Sequence, residues 1–131
     1  MPLTTIDIRT TYTEAQEVAI IEAVQSALIE GFKIPVEDRH VTLRVHAPHR
    51  MIVPPHCTQP LLYTMVGIDA FAGRSAQAKR NLYQAIVKNL AALGIPPDHV
   101  IIRLLEPSMD NWGIKGGQMA SDVGVNFKLD V

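Results

Sequence analysis

The sequence predicts an α/β (α+β) domain made of two β-α-β units side by side, giving a four-stranded sheet with both helices on one face. Three observations predict it. Strand-like alternation and helix-like spacing follow each other in the same order twice, glycines and prolines mark the same boundaries in both passes, and several residues of the two halves match at regular spacings.

Leu3 to Arg9 alternates, with Thr4, Ile6 and Ile8 on one face and Thr5, Asp7 and Arg9 on the other, which makes a strand starting almost at the first residue. Thr13 can cap the helix that follows, where Val18, Ile21, Val24, Leu28 and Phe32 recur at helical spacing until Gly31 and Pro35 end it. His40 to His46 alternates again, with Val41, Leu43 and Val45 facing one way. The second half opens with a strand over Leu62 to Phe71. Ser75 then caps a helix carrying Leu82, Ile86, Leu90 and Leu93, stopped by Gly94 and Pro96. Val100 to Leu105 reads as a buried apolar strand.

Ile34-Pro35 answers Ile95-Pro96, while His40-Val41, Arg44 and Pro48 answer His99-Val100, Arg103 and Pro107 at a constant spacing of 59. The whole chain, 1–131, is thus one domain of two pseudo-repeats, 2–48 and 61–107, with a C-terminal loop and strand over 108–131. Ala47 to Pro60 is a proline-rich connection. Each half needs a right-handed crossover to bring its second strand parallel to its first. One sheet face is then left without helices, and the alternation Val123, Val125, Phe127, Leu129, Val131, opposed by Asp122, Gly124, Asn126, Lys128 and Asp130, predicts a fifth strand needing an edge to pair with. Both features point to self-association, as a homotrimer.

Composition narrows the functions. A formal net charge of −1 provides no basic field for nucleic acid or an anionic membrane. A single cysteine, Cys57, excludes an internal disulfide and fits a reducing compartment, and neither a membrane span nor a secretory signal is visible, so the cytoplasm is the expected location. No phosphate loop or Ser-His-Asp order is present.

Pro2 is the first candidate for chemistry. Methionine is usually trimmed before a small residue, and trimming here leaves a secondary amine at the start of a strand. An α-amine has a reference pKa of about 7.7–8.0, so it can serve as general acid or base near neutrality without any side chain.

Pro2 before a strand and a doubled β-α-β layout are joined by Ile34-Pro35 with Asp38-Arg39, Gly73-Arg74-Ser75 opening the second helix, Gly94-Ile95-Pro96-Pro97-Asp98, and Asn111-Trp112-Gly113. In this order the chain resembles the tautomerase superfamily, in particular its longer-chain branch, which includes malonate semialdehyde decarboxylase. The resemblance implies a tautomerase-like fold and assigns Pro2 as the catalytic proline. It further implies that Asp38 assists proton transfer or orients water, and that Arg74 holds a substrate carboxylate. No cofactor is implied, and no metal. An arginine at a helix start suits carboxylate binding by itself, since its donor fork is added to free backbone amides; otherwise Arg74 is a solvated loop residue. Asp38 otherwise shapes the turn after Pro35. Arg39 either reaches the substrate or pairs structurally, and Trp112 either walls the site or plugs the sheet end. The decarboxylase pattern has two arginines around a proline before the serine, but here Ala72 stands at the first of those positions. Tautomerisation of a small 2-oxo acid or its enol is therefore favoured over decarboxylation or hydration.

Two rivals remain at this level. His46, His49, His56 and Cys57 fall close together and carry zinc-type donors, but their spacing fits no familiar zinc pattern. A non-catalytic binding module on the same scaffold is the other, because a fold does not fix a function. Tyr63, Tyr83, His40 and His99 are weaker candidates for a site.

Overall fold

The structure is a computed structural model that describes residues 1–125 and 127–131; Asn126, assigned by alternation to a polar strand face, lies outside the described residues. Strand β1 spans Leu3–Arg9, helix α1 Glu14–Phe32, β2 Val41–His46, β3 Thr64–Asp69, α2 Ala76–Ala91 and β4 Val100–Leu105. The four strands form one mixed sheet in the order β2-β1-β3-β4. β1 and β2 pair in parallel, as do β3 and β4, and the two units join through antiparallel pairing of β1 with β3.

Local chemistry explains where the helices begin and end. Thr13 closes a capping box on α1, its hydroxyl accepting from Gln16 N at 3.2 Å while the Gln16 side chain accepts from Thr13 N at 2.8 Å. Lys33, at φ 55°, ends α1 in the left-handed region with its N–H on Ile29 O. Ser75 caps α2 by accepting from Ala78 N at 3.0 Å.

Ile6, Ile8, Val66 and Ile68 present one sheet face to Ile20, Val24, Leu28, Leu82, Ile86 and Leu90 of the helices, all of them buried. Each such side chain contributes about 1.5–3 kcal/mol relative to exposure. The loop between the halves packs separately: Met51, Cys57 and Tyr63 form a small second cluster, tied down by Arg9 donating to Met51 O. His99 is buried there, accepting from Gln59 N at 3.1 Å on Nε2 and donating from Nδ1 to Asp98 at 2.7 Å. These bonds make His99 a structural tie between the connecting loop and the start of β4.

Three expectations need correction. β4 is not buried on both sides, because Ile101 (55% exposed) and Leu105 (47%) lie on the face that carries no helix. The apolar stripe of α1 is rotated toward Ile20, Val24, Ala27 and Gly31, leaving Val18 exposed. The described residues of 123–131 form no strand. Instead a short hairpin of β5 (Gly113–Ile114) and β6 (Gln118–Met119) leads into a single-turn helix α3 (Ala120–Val123). A lone period-2 segment needs a sheet edge, and within one chain this tail meets the core instead. Val131 packs on the core, Ser75 N donates to Val131 O at 3.1 Å, and the tail crosses Gly73, where a Cβ would meet the Leu129 Cβ at 3.1 Å.

The helix-free face carries the strongest ionic cluster. Asp7 accepts from Arg44 at 2.9 and 3.1 Å and from His46 at 2.7 Å. Burial pushes the Asp7 carboxyl up, but the Arg44 and His46 hydrogen bonds prevail and hold it below its ordinary value. A concavity of about 360 Å³ on the same face is lined by Leu3, Thr5, Asp7, Gly67, Ile101 and Arg103.

The helix layer depends on one close approach. A Cβ on Gly31 would stand 2.6 Å from the Leu82 Cα, a backbone atom that cannot step aside. Alanine gains about 1 kcal/mol in helix propensity, whereas forcing two packed backbones apart costs about 2–3 kcal/mol. Gly31→Ala is therefore expected to lower the unfolding free energy by about 1–2 kcal/mol in a urea titration. A variant as stable as the parent would mean that the helices separate freely.

Candidate active site

The sheet register gathers one set of residues at one end. β1 begins where β3 finishes, with Leu3 opposite Asp69, and its parallel neighbour β2 begins at the same end, with Thr4 opposite Val41. β4 finishes there too, with Leu105 opposite Asp69. The chain start, the turn before β2, the loop between β3 and α2, and the segment after β4 consequently share one edge of the molecule. Pro2, Asp38, Arg74 and Trp112 lie on these four segments.

Pro2 is buried beside the start of β1. Met1 precedes it, and the Met1 amine lies 3.0 Å from Asp38 Oδ2 in a largely buried ion pair. The Asp38 carboxylate thus faces the first atoms of the chain. Its own N–H donates to Pro35 O at 3.0 Å, closing the turn that delivers it, and His40 O accepts from Thr4 N at 2.9 Å, fastening that turn to β1. Arg39 is not brought to this group. Its guanidinium pairs with Glu22 of α1, and both side chains are about half exposed (52% and 48%), so the pair contributes little.

Arg74 is 5% exposed, an unusual state for a guanidinium. Its Nη1 donates to Phe71 O at 3.1 Å, while Nε and Nη2 are buried without a hydrogen-bond partner among the described residues. Aromatic faces fill the space around the charge: Cζ stands 4.6 Å from the Phe32 ring centroid and 5.6 Å from that of Phe127. Desolvation pushes the Arg74 pKa down from its ordinary value, opposed by the negative charge of Glu106. The group nevertheless stays cationic at neutral pH. Glu106 itself is held by Lys79 Nζ at 2.7 Å. Two donors of one fork are thus left unused at the start of α2, in a medium that strengthens any charge pairing.

Trp112 packs edge-on against Phe71, ring centroids 5.0 Å apart, and donates from Nε1 to Pro107 O at 3.2 Å. It therefore braces the Phe71 segment that also supplies the Arg74 acceptor. His40 is exposed. At the other end of the sheet, His46 bonds Asp7, while His56 donates to Asp98 O at 2.9 Å with the Cys57 Sγ 3.7 Å from its ring nitrogen. Among the described residues no three His, Cys, Asp or Glu side chains converge as a metal site. Burial, reinforced by the negative charge of Asp98, pushes the Cys57 thiol above its ordinary value. Among the described residues no helix is long and apolar enough to cross a membrane.

Sequence reasoning overlooked two polar residues near the site. Glu106 follows β4 directly, and nothing in its spacing marks it. Gln25 left a signal, since it stands at helical spacing from Ile21 and Leu28 within the apolar stripe, where an amide is out of place.

Two β-α-β units joined back to back, with an amine, a carboxylate and a buried guanidinium at one sheet end, define a tautomerase-like α+β protein. A family model described as tautomerase enzyme matches residues 38–115, and the chain belongs to that family. FG41 malonate semialdehyde decarboxylase, in a crystal structure inhibited by 3-bromopropiolate, is 27% identical with a TM-score of 0.85, over 96% of this chain and 99% of that one. Malonate semialdehyde decarboxylase in a second crystallographic study, of its decarboxylase and hydratase activities, is 25% identical with a TM-score of 0.83, over 94% and 99% of the two chains. A fused 4-OT symmetric trimer shares the fold at 23% identity, with a TM-score of 0.83 over 94% and 99%. No curated protein matches at a significant level.

Proposed function

We propose that the chain is a tautomerase-type enzyme in which the amine of Pro2, exposed by removal of Met1, shuttles a proton on a small 2-oxo acid or its enol. The observation that carries this reading is the contact of Asp38 with the Met1 amine, one residue before the Pro2 nitrogen and at the same sheet end as the unpaired donors of Arg74. The substrate carboxylate binds Nε and Nη2 of Arg74. Since the tail from Phe127 to Val131 lies over this guanidinium, entry requires that tail to move. The neutral Pro2 nitrogen removes the enol O–H proton, the resulting dienolate oxygen is stabilised by the cation, and the Pro2 ammonium returns the proton to carbon. No atom is gained or lost. Asp38 orients the amine and stabilises its charged form. Arg39, being paired with Glu22, acts on substrate only if that exposed pair opens.

A decarboxylase- or hydratase-like activity is the second reading, favoured by the two malonate semialdehyde decarboxylase relatives. The single cation at Arg74, with Ala72 where the decarboxylase pattern has another arginine, makes polarisation of a β-keto acid weaker than tautomerisation. The working assembly is a homotrimer that buries the helix-free sheet face, and the likeness to a trimeric fused 4-OT supports it. The expected location is the cytoplasm, and no cofactor is required.

Arg74→Ala is expected to raise KM for carboxylate substrates by about tenfold or more, with a smaller effect on the corresponding ester, because a charge-assisted pair outweighs a neutral hydrogen bond. Equal losses on acid and ester would give Arg74 a purely structural role. Pro2→Ala is expected to keep a mass of three chains by light scattering. It should also reduce phenylenolpyruvate turnover by about a hundredfold, the usual size of a general acid–base contribution. Unchanged turnover would contradict the proline mechanism, and a monomeric mass for the parent protein would contradict the assembly.

A further inference from the structure

Gln25 is a carboxamide placed where the packing asks for an apolar residue. It is 2% exposed in the same helix as Ile20, Val24 and Leu28. Burying an unpaired amide costs about 1–3 kcal/mol, and leucine at this place would avoid that cost. Nε2 donates to the main-chain oxygen of Asp38 at 2.9 Å, whereas Oε1 has no hydrogen-bond partner among the described residues. Beside it is a cavity of about 120 Å³ lined by Ile21, Gln25, Arg39 and Val41. The protein thus buries a half-satisfied amide, and its one bond goes to the residue whose carboxylate meets the chain-start amine.

The turn from Pro35 to His40 is otherwise held at its flanks. Asp38 N bonds back to Pro35 O and Thr4 N bonds His40 O, while the peptide unit between Asp38 and Arg39 is gripped by Gln25. Loss of that grip would free the turn to shift as a whole, and displacement of the Asp38 Cα carries the carboxylate away from the amine. Misplacement of a reacting group by about 1 Å can cost about a hundredfold in rate.

We infer that Gln25 is a positioning residue, whose buried amide clamps the Asp38 carbonyl and thereby aims the Asp38 carboxylate at the catalytic amine. The inference rests on the reading of Asp38 as partner of that amine. The test is a double-mutant cycle on phenylenolpyruvate turnover, using Gln25→Met, Asp38→Asn and the two together. The expected result is a kcat about tenfold lower for Gln25→Met, with KM changed by less than about twofold, and no further loss when Gln25→Met is added to Asp38→Asn. If Gln25→Met does not fold, Gln25→Glu keeps the length, lacks the amide donor and reads the same coupling. Should Asp38→Asn alone leave kcat unchanged, the role of Asp38 fails and the inference with it, while the proline reading stands on its own variant. If Asp38→Asn lowers kcat but the Gln25 variant loses only stability, or the two losses multiply, Gln25 is a packing residue and the inference is wrong.

Discussion

The antiparallel pairing of β1 with β3 is the constraint on which the rest depends. Each β-α-β unit alone sends its two strands the same way, with the strand starts at one end and the strand finishes at the other. Joining two units through Leu3 opposite Asp69 turns the second against the first, so the start of one meets the finish of the other. The chain-start amine is thereby placed beside the loop that opens α2. Asp38 comes from the crossover of the first unit and Arg74 from that of the second, so neither half holds the whole constellation. In this duplicated fold the candidate site lies at the seam between the copies.

Much of this was legible in the residues. The repeat of periodicities, the paired Ile-Pro stops and the caps Thr13 and Ser75 are local signals, and local signals survive folding because they concern only neighbouring backbone. The errors arose where a third body decides the outcome. Val123 to Val131 has a strand pattern, but a strand exists only against an edge, and in the single chain this tail closes over Gly73 and Arg74 instead. Val100 to Leu105 looked buried because all its residues but Arg103 are apolar. In the sheet one face of it awaits a covering that the chain does not provide. The candidate site residues were proposed from resemblance joined to position, while the polarity of Gln25 inside an apolar stripe was visible but drew no reading.

The energetics of the site run against stability. A buried guanidinium loses several kcal/mol of hydration, and one bond to Phe71 O with two aromatic faces offsets only part of that. Gln25 repeats the pattern on a smaller scale, with one half of its amide satisfied. Locally unfavourable groups at one end of a sheet are what make that end the candidate site, because packing alone favours apolar residues there. At the opposite sheet end the buried His99 is matched on both ring nitrogens, by Gln59 and Asp98.

The central claim concerns which nitrogen does the work. With Met1 in place the amine beside Asp38 is a primary one, and the Pro2 nitrogen is an amide without basicity. Removal of Met1 turns Pro2 into a secondary amine whose ring holds the lone pair in one direction. Intact-mass spectrometry on protein of measured specific activity separates these states. The account predicts that active protein lacks Met1 and that activity rises in proportion to the processed fraction. Full activity in protein that retains Met1 would contradict it.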